Sequence, residues 1–421
     1  MRTRRSSSPH LIFFFASTWF LLAHIFCAAV SPSEFTPPPG EAIRPLGEWE
    51  GHRRLVMVLS ADYSDSSIGA QGQSAVRKAY LDLIKAVLPL VNVTVIVPAA
   101  EEVLSFAHWV DAEGLQDHLR DRRLVLETFE VNSIWIRDYG VLLARGEATG
   151  ALYGIDPVYA QHAATESRFY DDRMAYWLFR QKEIRWVRSP LYLDGGNFDT
   201  DGQGTCFTSS ETLGYNQTGL EETRKLFQAW IGCRETHILD PIPVESTGHI
   251  DMFFKVLSPD VWLLGQYAPR KNLAEPLDYL ERLAHFAMEK NARTLQAIIK
   301  KRGRGRLIRI NMPRPHTFDH YDLRSAERDS SDNPRRLVST SGNAVYGKSE
   351  VGFASYVNSV YVRGERGEVV VIPSYSTDEN DVKAVATFRE AYPSAKIIRM
   401  PADYLIQDNG AVHCILYTMP D

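Results

Sequence analysis

From Arg44 onward the chain alternates short apolar runs with longer stretches in which apolar residues recur every three or four positions. The short runs Leu55–Leu59, Thr94–Val97, Leu124–Thr128, Val141–Ala144, Gly204–Thr208, Met252–Val256 and Val261–Leu264 predict strands, because β-branched and aromatic residues dominate them. The amphipathic stretches Ala75–Leu90, Val103–Val110, Glu166–Arg180, Leu220–Trp230 and Asn380–Tyr392 predict helices. Late in the chain, Tyr356–Arg363 and Val369–Ile372 read as strands about the turn at Gly364–Gly367, and Val412–Thr418 as a last strand. Such a rhythm predicts one α/β domain over residues 44–421, with a doubly wound sheet as the architecture the pattern alone favours. No Gly-x-Gly-x-x-Gly follows the first strand, so dinucleotide binding lacks its main signal.

Two stretches break the rhythm. Residues 1–29 combine a basic start (Arg2, Arg4, Arg5), an apolar run from Leu11 to Ala29 and the small-x-small site Cys27-Ala28-Ala29, which predicts a cleaved export signal. The run is close to the ~20 residues that span a bilayer, so an uncleaved anchor is the alternative, and it is the one route to a membrane partner. Residues 30–43, with Pro32, Pro37, Pro38 and Pro39, read as an extended linker. His316 to Gly352 is polar and reads as a solvated surface insertion, with a lid as its functional alternative because it precedes Asn358.

Charge and cysteines narrow the function. The leader takes three arginines and no acid from a chain of formal charge −5, leaving −8, and no charge run or aromatic-interleaved basic patch points to nucleic acid. After loss of Cys27, Cys206 and Cys233 can pair in an oxidising compartment, leaving Cys414 as the odd thiol. No Cys-x-x-Cys or paired-histidine spacing implies a metal, and no cofactor is expected. Asn92-Val93-Thr94 and Asn216-Gln217-Thr218 are glycosylation sequons, meaningful in a eukaryotic source.

The chemistry gathers in four segments: Trp135-Ile136-Arg137-Asp138-Tyr139-Gly140, Asp194-Gly195-Gly196-Asn197, Gly248-His249-Ile250-Asp251 and the terminal run around Cys414. Together they offer a thiol, a histidine and carboxylates, which suit attack on a planar, cationic guanidinium. Carboxylates at Asp138 and Asp251 accept its paired N–H bonds, a Cys414 thiolate adds to the carbon, and His249 moves the protons, with His413 as the alternative carrier. If His249-x-Asp251 lies on a strand, both side chains face one pocket. A cationic substrate and a nearby imidazolium favour the thiolate. Taken singly, each has a plainer reading: a buried small hydrophobe for Cys414, a surface partner of Arg137 for Asp138, a tight turn needing positive φ for Gly195-Gly196-Asn197.

The order Trp-x-Arg-Asp-x-Gly, Gly-Gly-Asn, Gly-His-x-Asp and Asn-Gly-x-x-His-Cys resembles the agmatine deiminase and bacterial-type peptidylarginine deiminase family of guanidino-group-modifying enzymes. Glu48-Trp49-Glu50, Ala354-Ser355-Tyr356-Val357-Asn358 and Val371-Ile372-Pro373-Ser374-Tyr375 carry the resemblance further. It implies a five-bladed α/β propeller with a central active site, Cys414 as nucleophile, His249 as acid and base, Asp138 and Asp251 as the guanidinium clamp, and Asn358, Trp135, Gly196 and Asn197 about the substrate. Val141 stands where the family has proline, and Gln407-Asp408-Asn409 where it has glycines, which bears on loop shape and substrate choice. Export favours arginine in peptides as substrate, with agmatine as the alternative, and Arg168 and Arg173 are the cations available to a peptide's terminal carboxylate. The competing classes are a catalytically silent extracellular binding module and an amidinotransferase.

Overall fold

The computed structural model describes residues 35–59, 69–98, 100–160, 168–180, 184–273, 276–318, 344–346, 349–375 and 380–421. The expected export signal, most of the polar insertion (319–343 and 347–348) and the start of the helix expected at Glu166 lie outside them. Residues 36–421 form one compact unit.

A doubly wound sheet is not what the chain builds. Its described strands fall into small separate sheets of three or four strands. Five of these repeat one plan: two antiparallel strands, a helical connection, then a strand parallel to the second. In chain order the first is Leu142–Gly146, Leu152–Val158, the helix Phe169–Arg180 and Arg185–Tyr192. The next is Asp199–Thr200, Thr205–Ser209, helices Glu211–Asn216 and Leu220–Trp230, and Glu235–Leu239. A third is Phe254–Ser258, Val261–Gln266, the helix Pro276–Arg302 and Arg306–Asn311. The fourth is Val360–Gly364, Gly367–Ser374, the helix Asp381–Ala391 and Lys396–Pro401. The fifth joins the ends of the chain: Leu416–Pro420 runs antiparallel to Arg53–Val58, which continues through the helix Gly69–Val87 to Val93–Val97, with Leu124–Thr128 beyond it. The sixth sheet is built by the insertion, where Ser349–Gly352 pairs antiparallel with both His316–Phe318 and Ala344–Tyr346.

Local chemistry explains these elements. Arg53–Val58 is buried along its whole length, as a strand flanked on both faces must be, and its Leu55, Val56 and Met57 each contribute about 1.5–3 kcal/mol by leaving water. Leu220–Trp230 opens with Glu221 and Glu222 against the positive end of its dipole and buries Thr223 and Phe227, four apart, on one face. The helix Pro276–Arg302, which the apolar pattern above does not single out, has proline at its first position, Asp278 in its first turn and Lys300, Lys301 and Arg302 in its last. It buries Leu280, Ala284, Met288, Ala292 and Leu295. The cations from Lys300 to Arg306 do form a charge run, but Lys301 pairs with Glu235, Arg302 with Asp201, Arg304 with Asp260 and Arg306 with Glu390.

A large apolar core spans most of the units, and a smaller one gathers Phe198, Phe227 and Ile231 around the Cys206–Cys233 disulfide. The linker boundary shifts. Thr36 N–H donates to Arg188 O, the Glu41 carboxylate accepts from Thr149 and Tyr153, and Ile43–Pro45 is already a strand, so residues 36–43 lie along the domain. Both sequon asparagines are engaged: Asn92 with Asp421, and Asn216 with the backbone of Tyr192.

Candidate active site

Each site segment lies in a connection from one repeated unit to the next. Ile136–Tyr139 links the fifth unit's Leu124–Thr128 to the first, Gly195–Asn197 links first to second, and Ile250–Met252 second to third. Asn358 precedes the fourth, and Cys414 lies between the fourth and Leu416–Pro420. Hydrogen bonds tie these loops together. Gly196 N–H donates to Asp138 Oδ1 (3.1 Å), Ile250 N–H to Asn197 Oδ1 (3.2 Å), Arg137 N–H to Cys414 O (3.1 Å) and His413 N–H to Asn358 Oδ1 (2.8 Å).

Several local expectations change. Cys414 is not on a strand: Val412 to Ile415 is a turn, because the amides of His413 and Cys414 turn to Asn358 Oδ1 and the strand begins at Leu416. His249 and Asp251 do not alternate along a strand either, since Ile250–Met252 is a 3₁₀ turn with His249 in extended backbone just before it. The Gly195-Gly196-Asn197 turn has no residue at positive φ. Its glycines are there for space. A Cβ on Gly195 would sit 2.1 Å from Arg137 O, and one on Gly196 would meet Asp138 Oδ1 at 2.6 Å, His249 Nδ1 at 2.9 Å and Asp251 Oδ2 at 3.1 Å. Three functional groups from three loops thus converge on the space above Gly196.

Cys414 Sγ faces the same space, accepting from Asn358 Nδ2 at 3.2 Å and lying 3.8 Å from Asp251 Oδ2. Asp138, Asp251, His249, Asn358 and Cys414 are all buried. Asp138 is therefore no surface partner of Arg137, whose Nε donates instead to Gly195 O. Asn197 is placed differently from the substrate-binding expectation: its amide is consumed by Thr212, Ser209 and Ile250, so it holds the turn in shape. Trp135 is half-buried, and its ring backs Gly410 on the approach to Cys414, where a Cβ would come within 2.1 Å of it. Arg168 and Arg173 are already engaged on the helix Phe169–Arg180, Arg168 beside Asn132 O and Asp171, Arg173 stacked on Phe169.

Asp194 was given no role from sequence, and His413 was expected only as an alternative proton carrier. Asp194 Oδ2 lies 3.1 Å from His249 Nε2 while its Oδ1 accepts from Ala160 N–H, so it orients the imidazole; its only signal was its place before the glycine pair. His413 Nδ1 lies 2.7 Å from Asp251 Oδ2.

The electrostatics follow from burying several carboxylates around few cations. Burial pushes the Asp138 carboxyl up to about 7; Asp194 and Asp251 add to this, and His249 opposes it. Burial alone would lower His249, yet the carboxylates of Asp138, Asp194 and Asp251 outweigh it and raise the imidazole to about 10. Burial would likewise raise Asp251, but the hydrogen bond and charge of His413, with His249 and Arg137, hold it below the usual carboxylate range. The Cys414 thiol is pushed well above its ordinary value by burial and then by Asp251 and Asp138. These groups by themselves hold Cys414 as the thiol; the thiolate expected above depends on a cationic substrate as well as on the imidazolium. A cation entering between Asp138 and Asp251 reverses that balance. Asp251 Oδ1 is buried without a hydrogen-bond partner, so this carboxylate has accepting capacity to spare. Among the described residues no group of three or more His, Cys, Asp or Glu side chains is arranged to hold a metal ion.

The Porphyromonas-type peptidyl-arginine deiminase family profile matches residues 44–420. A protein named agmatine deiminase from Ectopseudomonas mendocina (strain ymp) is 24% identical over 402 residues, covering 91% of this chain and 97% of its own. The solved C. jejuni agmatine deiminase superposes with a TM-score of 0.67 at 19% identity, covering 92% of this chain and 99% of that one. The agmatine deiminase of Enterococcus faecalis does so with a TM-score of 0.66 at 18% identity, covering 92% and 100%. At these identities the structures share the fold.

Proposed function

The chain belongs to the Porphyromonas-type peptidyl-arginine deiminase family and is a hydrolase of C–N bonds in amidines, and from that premise we propose that it deiminates agmatine to a ureido amine and ammonia through a covalent Cys414 intermediate. The observation that carries this is the convergence of Asp138 Oδ1, His249 Nδ1 and Asp251 Oδ2 over Gly196, beside Cys414 Sγ. An acid-rich buried pocket whose Asp251 carboxylate has accepting capacity to spare is a site for a planar cation.

The steps follow from the charges. As the guanidinium enters between Asp138 and Asp251, its charge offsets theirs and the Cys414 thiol gives its proton to water, to be taken back when the product leaves. The thiolate adds to the guanidinium carbon. His249, protonated up to about 10, gives its proton to the departing nitrogen, and ammonia leaves with cleavage of the C–N bond. The resulting thiouronium is attacked by water, whose proton returns to His249. Collapse breaks the C–S bond, restores the thiolate and yields the ureido product, and the remaining hydroxyl proton passes to water, where the ammonia already released takes it up as ammonium. Asp194 keeps His249 aimed throughout.

The same reading takes the five repeated units as blades of a five-bladed α/β propeller, with the site in the middle because every inter-unit connection contributes to it. It also takes the protein to be exported after loss of residues 1–29, a placement that suits the Cys206–Cys233 disulfide. That placement favours a second reading, arginine in peptides; the names of the relatives weigh toward agmatine. Ammonia release from agmatine, free arginine, and blocked, C-terminal and internal peptidylarginine tests the choice. Turnover of agmatine far above the rest is the expected result, preference for internal peptidylarginine establishes the second reading, and no release from any of them refutes both. Ureido products exclude amidino transfer to an amine.

A further inference from the structure

His413 is buried beside the nucleophile and has no part in the steps above. It is the middle of a chain of buried ionisable groups. Its Nδ1 lies 2.7 Å from Asp251 Oδ2, its Nε2 faces Glu48 Oε1 at 3.4 Å, and Glu48 Oε2 lies 2.7 Å from Lys255 Nζ. Glu48 precedes the strand Arg53–Val58 and Lys255 sits in Phe254–Ser258, so the chain runs from the pocket into the packing of two different units. Taking such groups out of water is costly, and stability alone would be served as well by apolar residues of the same size.

The pattern of satisfied and open atoms indicates what the chain does. Asp251 Oδ2 is fixed by His413, whereas Oδ1 of the same carboxylate is buried without a partner. Glu48 Oε1 and His413 Nε2 make no hydrogen bond elsewhere and lie 3.4 Å from each other. The His413 hydrogen bond restricts rotation of this Asp251 carboxylate, whose Oδ2 also borders the space over Gly196 and lies 3.8 Å from Cys414 Sγ. We infer that His413 and Glu48 are positioning residues for substrate recognition: the Asp251–His413–Glu48–Lys255 chain holds the Asp251 carboxylate in place beside the space over Gly196 and Cys414 Sγ, where the guanidinium is proposed to sit. Glu48, which touches neither nucleophile nor substrate, then governs how well the pocket holds a planar cation. This inference rests on the guanidino reading of the site.

The test needs no natural substrate. Alkylation of Cys414 in the full-length, disulfide-bonded protein is compared for 2-chloroacetamidine, a planar cation, and 2-chloroacetamide, its neutral counterpart, with the labelled peptide identified by mass. The parent should favour the cation strongly. Glu48→Gln and His413→Ala should cut that preference roughly 10- to 100-fold, the scale of one hydrogen bond to a charged group. His413→Asn, whose amide can replace the Nδ1 donor to Asp251, should recover most of it. An unchanged preference in Glu48→Gln and His413→Ala, with only a lower melting temperature, overturns the inference and leaves the guanidino reading standing. Absence of any cation preference in the parent overturns the guanidino reading and this inference together.

Discussion

Among the described residues, two pairs of aspartates are largely withdrawn from water, Asp156 with the half-buried Asp172 and Asp138 with Asp251, and the first holds a guanidinium of the chain itself. In the first repeated unit, Asp156 lies 3.1 Å from Arg188 Nη1 and Asp172 pairs with Nη2, while Trp186 Nε1 donates to the remaining oxygen of Asp156. That arginine is nearly inaccessible, and its charge is met on both sides. Asp138 and Asp251 face one another across Gly196 with no arginine between them, a protonated imidazole nearby and one oxygen unpartnered. Similar groups in similar burial therefore do opposite things. The first pair is closed, and losing its cation would strand charge away from water; the second is the pair that the proposed function assigns to a substrate's guanidinium.

The sharpest break between the two pairs lies in the thiol beside the second one. Cys414→Ser should lower turnover of agmatine by about 10³–10⁶-fold, since an alcohol ionises far less readily than a thiol and nothing else can form the covalent bond. His249→Ala should cost roughly 10²–10⁴-fold by leaving ammonia without a proton donor. Near-parental kcat in Cys414→Ser, measured by ammonia release, would remove the mechanism.

Swapping the perturbation between the pairs should swap the phenotype. Arg188→Met leaves Asp156 and Asp172 unpaired, and denaturation should show a loss of about 3–5 kcal/mol. Asp138→Asn takes one acid from a crowd of acids, so the empty protein should melt no lower than the parent, while kcat/KM falls. In a Cys414→Ser background, agmatine at ~100 Kd should stabilise by about 2.7 kcal/mol, and the added Asp138→Asn should abolish most of that shift. Equal ligand stabilisation with and without Asp138 would mean that it is scaffold.

The smallest effect is on the pH dependence of stability. His249 is raised from 6.5 to about 10, so its contribution is fully present below pH 6.5 and is lost as pH rises through about 10. Asp138, raised from 3.8 to about 7, has the same sign: its contribution is present below 3.8 and gone above about 7. The melting temperature of the empty enzyme should therefore fall from neutral pH toward pH 10, and His249→Asn should flatten the upper part of that fall. A parental slope in the variant would place the titration elsewhere.

The sequence alone determined what depends on residue type and local period. The helix Leu220–Trp230 was legible because its acids, its buried face and its following glycine agree, and the strand at Leu55 because its apolar run admits no other face. Cys414, His249, Asp138 and Asp251 stood out because guanidinium chemistry needs those functional groups, whatever their separation along the chain. What a local pattern cannot hold, the tertiary structure decided. The Gly195-Gly196 pair reads locally as a turn needing positive φ, but its reason is the approach of Asp138, His249 and Asp251 from other loops. Cys414 reads as strand because its neighbours are apolar, yet Asn358, 56 positions away, takes the amides a strand would need. Asn197 reads as a substrate ligand until Thr212, Ser209 and Ile250 claim its amide. The pairing of Asp194 with His249 and of His413 with Asp251 likewise exists only between distant segments. Residue type supplies the groups, whereas the charge state and aim of each depend on which neighbours the fold buries beside it.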